Sequence, residues 1–340
     1  MIVDYFRKTP LDEAFYAEWI DGRLPRRLLD MHIHISDPKV VGNRVDAQDD
    51  WAAACCSAMN IEGFHEAAKT FHPDREVEIL ALPAVARGLD HAACNDYMVS
   101  IRDDKSVRGI EMVVRPEWTA EYVEQQLVEN GFAGFKPYPD LVSGKKGSEI
   151  GIFEFIPHHQ LAVLDKHKGV LTLHIGRPGR LPDPNNLHDL LELRQKYPDI
   201  KLIVAHCGRS YAVDTIRRGL EGLGPHADEF LYDLAAVLNP EVLRRVFDRI
   251  PHDRIFYGTD LPVFLWHGRR RWTDTEYFNL CREDFWWNRH EEGPETEAGY
   301  TFFLYEQLKN ILDVTDEFGG QPLREKLFYG NADRILPRKA

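Results

Sequence analysis

The segment Leu28-Leu29-Asp30-Met31-His32-Ile33-His34 decides how the rest of the chain is read. Its apolar residues form a run long enough for a buried parallel strand, and it ends in two histidines spaced i and i+2. The two-residue strand period sends both imidazoles to one face, where they converge. A strand that opens a nucleotide-binding open sheet would be followed by a glycine-rich phosphate loop. This one is followed by histidine.

Working outward, short apolar runs alternate with helix-like segments to the end of the chain, the pattern of parallel strands joined by helical crossovers. The expected strands are 27–34, 76–86, 107–115, 132–138, 170–175, 201–206, 229–236 and 254–260. Helices are expected at about 46–69, 90–101, 119–130, 155–168, 186–197, 210–221, 240–249 and 299–313. Periodicity alone does not separate a closed barrel from an open doubly wound sheet, so the residues at the strand ends must. Two further strands end in histidine, Leu171-Thr172-Leu173-His174 and Leu202-Ile203-Val204-Ala205-His206, and Ile255-Phe256-Tyr257-Gly258-Thr259-Asp260 ends in an acid. Any one of these is as readily a core or surface residue as a ligand. Four strands ending this way point to the C-terminal rim of a (β/α)8 barrel, where such folds carry their active sites. The fold class expected is α/β, a (β/α)8 TIM-like barrel with a long insertion after strand eight.

In order along residues 28–336, these pieces resemble the amidohydrolase superfamily, and within it the amidohydrolase-related branch of metal-dependent hydrolases and decarboxylases. The resemblance is carried by His32-Ile33-His34, Gly134-Phe135-Lys136-Pro137-Tyr138, His174, Ala205-His206-Cys207-Gly208, Tyr257-Gly258-Thr259-Asp260 and Phe328-Tyr329-Gly330-Asn331-Ala332. It implies a divalent metal on His32, His34, His174 and Asp260, with a position left for water. Three neutral imidazoles and a carboxylate suit zinc. By the same resemblance Asp260 doubles as general base, and His206 either orients water and polarises the substrate or binds a second metal. Which of these holds depends on Lys136: a carboxylated Lys136 would bridge two metals, whereas an ammonium would repel the second and bind a substrate anion. One metal per chain is the expectation.

Other residues are placed by position alone. Asp30 either orients a ligand from one layer deeper or makes a salt bridge. Tyr138 and Arg177 lie just past strands four and five, where a guanidinium can pair with a substrate carboxylate. The insertion 261–298 carries Trp266, His267, Arg269, Arg270, Arg271, Trp272, Trp286 and Trp287. It reads equally as a lid whose Trp266 and Arg269 touch substrate or as the interface of a homo-oligomer.

With 340 residues, one barrel domain spanning 1–340 is expected, with 1–27 as an N-terminal extension. Lys and Arg number 42 against 55 Asp and Glu, a net charge of −13 that disfavours a nucleic-acid face. No apolar run approaches the roughly 18 residues of a membrane span, and no secretory signal opens the chain. Five cysteines, Cys55 and Cys56 adjacent, form no disulfide framework, which with the missing signal reads as cytoplasmic. The expected function is hydrolysis of an ester, lactone or amide in a small, carboxylated substrate. The alternatives are non-oxidative decarboxylation, or a barrel that only binds or supports a partner.

Overall fold

The computed structural model describes residues 7–41, 55 and 58–336. Eight parallel strands run in chain order, each paired with the next: β1 (Arg27–His34), β2 (Glu76–Leu82), β3 (Val107–Val113), β4 (Gly134–Lys136), β5 (Val170–Leu173), β6 (Lys201–Val204), β7 (Leu231–Asp233) and β8 (Ile255–Phe256). The ring closes between β1 and the chain leaving β8. Met31 N donates to Tyr257 O at 3.0 Å, Asp260 N to His32 O at 2.7 Å, and His34 N to Leu261 O at 2.7 Å. This is a (β/α)8 barrel, as expected.

The strands form because both of their faces are buried. Leu28, Leu29, Met31 and Ile33 of β1 are each 1% exposed or less, so alternation of polar and apolar residues would have nothing to solvate. Helices start where a short polar side chain can take up a free backbone N–H. Asn60 accepts from Gly63 N, Asp90 from Ala93 N, Thr119 from Tyr122 N and Asn239 from Glu241 N. Pro184 and Pro240 occupy first turns, where a missing N–H costs nothing. At Gly134 a Cβ would lie 1.8 Å from Val170 O, so glycine alone lets β4 approach β5.

Three departures from expectation matter for the site. The later strands stop short of the polar residues expected to end them: β5 ends at Leu173, β6 at Val204 and β8 at Phe256. The backbone leaves the ladder there, with positive φ at His206 (55°), Cys207 (49°) and Asp260 (62°). Such conformations are strained for non-glycine residues and are a recurrent feature of active sites. Second, the N-terminal extension contains a helix, Pro10–Trp19, begun by a capping box between Thr9 and Asp12. Third, the insertion is not plain loop. It folds as an antiparallel hairpin, β9 (Gly268–Trp272) with β10 (Tyr277–Cys281). The helix expected from about residue 46 is seen from Ile61 to Phe71, and residues 46–54 lie outside those described.

Candidate active site

His32 and His34 end β1 with their rings 5.6 Å apart. Each Nδ1 is engaged away from the centre: that of His32 bonds Asp233 Oδ2 at 2.9 Å, that of His34 the Pro83 carbonyl at 2.8 Å. A carbonyl or carboxylate oxygen can only accept, so each Nδ1 carries the proton and each Nε2 presents a lone pair inward. His206 follows the same rule, donating Nδ1–H to Ala235 O at 2.9 Å. Burial, reinforced for His32 and His34 by the positive charge of Lys136, holds all three below the ordinary imidazole range, His34 at about 3. The rings are neutral and their inward nitrogens are unprotonated.

Asp260 closes this constellation. Its Oδ1 lies 3.5 Å from His32 Nε2 and 3.6 Å from His34 Nε2, and its Oδ2 is 3.9 Å from His206 Nε2. Burial pushes its carboxyl up to about 8, against the pull of Lys136. Lys136, at the end of β4, is wholly buried with Nζ 3.3 Å from His32 Nε2. Desolvation lowers its pKa, and the charges of Glu111, Asp260 and Asp233 oppose that. Asp30 accepts from His32 N at 2.9 Å and from Thr259 N at 3.1 Å, tying β1 to the end of β8. Burial raises its carboxyl to about 7. Asp30 thus holds the His32 backbone in place.

Among the described residues two donor groups are compact enough to hold a metal ion: His32, His34 and Asp260, and His32, His206 and Asp233. The second is already satisfied internally. Asp233 Oδ2 bonds His32 Nδ1, while Oδ1 accepts from His206 N at 2.8 Å and Ala235 N at 3.1 Å. Asp233 is therefore a support that sets ring tautomers. The first group has unprotonated nitrogens and a carboxylate facing one point, with further buried carboxyls behind it. Its donor chemistry fits a divalent cation.

The other expected residues are divided by the structure. His174 is brought in, its ring 5.4 Å from His206 and 4.8 Å from Tyr138, although its nitrogens fall outside the compact His32, His34 and Asp260 group. Arg177 lies beside Gly151 and Glu154, and the guanidinium that His174 feels is that of Arg209. Trp266 is fully buried against Phe303 and Trp287, with Nε1 donating to Val263 O. It belongs to the core of the insertion, not to an exposed lid. Arg269 is half-exposed and paired with Glu292 at 2.7 Å. On an antiparallel strand alternate residues face opposite ways, so it is the neighbouring Arg270 that turns inward.

Sequence reasoning missed Asp233 and Glu111, and named Arg270 only within the run Arg269-Arg270-Arg271 of the insertion. Asp233 ends β7 in Leu231-Tyr232-Asp233, the same apolar-run-then-acid signal that revealed Asp260. Glu111 interrupts the apolar β3; its Oε1 accepts from Thr172 Oγ1 at 2.9 Å, and burial raises its carboxyl well above the usual range. Arg270 was legible only to a strand period that nothing else in the insertion announced.

A (β/α)8 barrel with histidines and an acid gathered at the C-terminal ends of its strands defines a class of enzymes that work on small molecules at that rim. The chain belongs to the amidohydrolase family: the family model matches residues 29–338, and its members are metal-dependent enzymes. Over 138 residues the chain is 26% identical to a protein of Schizosaccharomyces pombe named "Probable dihydroorotase", a match spanning 37% of this chain and 39% of that protein. Among solved structures, 4-oxalomesaconate hydratase from Rhodopseudomonas palustris is similar with a TM-score of 0.57 at 14% identity, covering 92% of this chain and 96% of that one. The 5-carboxyvanillate decarboxylase of Sphingomonas paucimobilis is similar with a TM-score of 0.54 at 11% identity, covering 93% and 100%. At these identities the structural likeness establishes the fold.

Proposed function

We propose that the chain is a hydrolase of small carboxylated esters, lactones or amides. In this reading His32, His34, His174 and Asp260 hold one divalent metal, most naturally zinc. The observation that carries it is the locking of the His32 and His34 imidazoles with Nε2 inward beside Asp260, with His206 locked the same way next to them. When bound, the metal supplies a Lewis acid that polarises a substrate oxygen and lowers the pKa of water. The chain's own part is proton handling. Asp260 takes a proton from water as the water oxygen attacks the carbonyl carbon, and returns it to the leaving oxygen or nitrogen as that bond breaks. His206, neutral with its Nε2 lone pair free, accepts a hydrogen bond and so orients the water; it has no proton there to polarise a carbonyl. Tyr138, whose ring lies tilted 4.8 Å from that of His174, contacts the substrate in this reading.

A second reading, non-oxidative decarboxylation, draws on the same Asp260 carboxyl. In its protonated form that group can deliver H⁺ to the carbon from which CO2 departs. The solved neighbours of similar fold include a decarboxylase, which keeps that chemistry in view. Among the described residues no helix is long and apolar enough to cross a membrane; the cytoplasmic location we propose rests instead on five cysteines that form no disulfide framework. Trp286 and Phe278, exposed on the insertion, support a homo-oligomer, which sedimentation checks.

Elemental analysis of the purified protein and of a His32→Ala/His34→Ala variant tests the metal assignment. About one metal per chain, lost in the variant, is expected. Two would mean that Lys136 is carboxylated, and none after metal supplementation overturns the proposal. Assays that score CO2 release separately from acid and alcohol or amine products then distinguish the two reactions.

A further inference from the structure

Arg270 enters the barrel mouth from β9. Its neighbours Arg269 and Arg271 point outward and pair with Glu292 and Glu291, each at 2.7 Å, while Arg270 is 5% exposed. Its Nε donates to Asn279 Oδ1 at 2.9 Å and its Nη1 to the Ala236 carbonyl. Aromatic rings surround it, Tyr211 at 4.4 Å, Tyr277 at 4.8 Å and Phe303 at 5.1 Å from the guanidinium carbon. No described carboxylate forms an ion pair with it. Arg108 and Arg324, equally buried, each have one: Arg108 pairs with Glu78 and Asp333, Arg324 with Asp316. A buried cation without a counter-ion is costly, and two neutral oxygens and a few π faces offset only part of that cost.

The surroundings add positive charge where a counter-ion would be expected. Arg180 lies 4.8 Å from the Tyr277 ring that Arg270 also faces. Arg209 spends Nη1 on the Ile175 and Gly176 carbonyls, and no described carboxylate pairs with it or with Arg180. The location ties this charge to the active site. Tyr211 stands between, its ring 6.3 Å from that of His206 and 4.8 Å from that of Tyr277, and Arg270 and Asp260 feel each other's charge.

We propose, on the small-molecule enzyme reading above, that Arg270 is the specificity-determining residue of the site. It binds a carboxylate at the end of the substrate remote from Asp260, beside the Tyr211 and Tyr277 rings, with Arg180 and Arg209 strengthening the field. Arg270 thus takes over the anion-binding role that position alone had assigned to Arg177 and Arg269. A guanidinium edge matches the planar carboxylate.

Calorimetric titration of the full-length protein with glutarate and isophthalate, each against its monoamide, tests this without turnover. The native protein should prefer at least one dicarboxylate over its monoamide by roughly 10- to 100-fold, the effect of one charged hydrogen-bonded pair. Arg270→Gln should remove the preference. Because Arg270 also braces the hairpin, the decisive variant is Asn279→Asp, which sets a carboxylate against Nε with almost no change of shape. It should abolish the preference while thermal stability holds or rises. If the native protein shows no preference for charge, or Asn279→Asp keeps it, the proposal falls. Retained preference for charge with no detectable turnover would instead count against the enzyme reading alone.

Discussion

The carboxylate of Asp233 shows how much one residue can govern here. By accepting from His32 Nδ1 and from His206 N it fixes one ring's tautomer and the other's backbone, and so turns both Nε2 lone pairs toward Asp260. Asp233→Asn removes the charge and, through its amide donors, permits the other tautomer of His32. Metal affinity, measured by competition with a chelator, should fall by about 10- to 100-fold with the fold intact. An unchanged affinity would mean that Asp233 is only a strand-end acid. Asp260→Asn keeps the volume but cannot take up a proton. Turnover should drop by at least about 100-fold while circular dichroism and melting temperature stay near native. Near-normal turnover would remove Asp260 from the proton-handling role.

At the scale of elements, the barrel depends on close approaches between neighbouring strands and on how the segments after them leave the ladder. Gly134→Ala would drive a methyl into Val170 O, so β4 and β5 must separate. A loss of about 3 kcal/mol or more is expected in denaturant titration, well beyond the usual cost of a surface change. A milder effect would show that the β4–β5 pairing yields easily. The hairpin of the insertion is a different kind of element. Its turn is held by Thr273 Oγ1, which accepts from Glu276 N at 3.0 Å, and its inner face is organised around Arg270. Nothing in its composition separates it from an irregular loop, because Arg269-Arg270-Arg271 has no hydrophobic period. The strand became visible only when alternate arginines were seen to face opposite ways.

Across the whole molecule, one ion network ties the first helix to the insertion. His267 is fully buried, with Nε2 3.0 Å from Asp12 Oδ2, Nδ1 2.8 Å from Glu283 Oε1, and the Arg282 guanidinium also against Nδ1. Asp12 further accepts from Thr301 Oγ1 at 2.8 Å and Phe302 N at 3.2 Å, joining segments far apart in the chain. Burial alone would lower the His267 pKa, but the bonds to Asp12 and Glu283 raise it above the ordinary 6.5. Burial likewise acts to raise Asp12, and the bonds to His267 and Thr9 bring it down to about 2 from 3.8. The His267 contribution is fully present below about 6.5 and is lost as pH rises through its higher folded value. That of Asp12 is present above about 3.8 and is lost as pH falls toward about 2. Stabilisation by the network is therefore greatest between about pH 4 and 6.5. Asp12→Ala should cost about 3 kcal/mol there, the usual cost of stranding a buried charge. The gap in melting temperature from the native protein should narrow on either side of that window; a gap independent of pH would contradict the ion pair.

What could be read directly from the residues was whatever depends on local order. Apolar runs ending in His34, His174, His206 and Asp260 announced parallel strands and a polar rim, because a strand buried on both faces is mostly apolar until it leaves the barrel. The strand ends came out too long, since the left-handed backbone at His206, Cys207 and Asp260 reflects side chains turned toward a shared centre, which no local propensity encodes. Asp233 and Glu111 became functional candidates, and Arg270 was singled out from its neighbours, only in three dimensions. A buried charge is defined by what surrounds it, and those surroundings come from distant parts of the chain: Asp233 meets His32 across the barrel, and Arg270 meets Ala236, Tyr211 and Phe303. The sequence by itself determined the barrel and the residue types at its rim. Tertiary structure alone decided which nitrogen of each histidine faces inward and which buried arginine meets no carboxylate among the described residues, because both depend on partners that folding brings together.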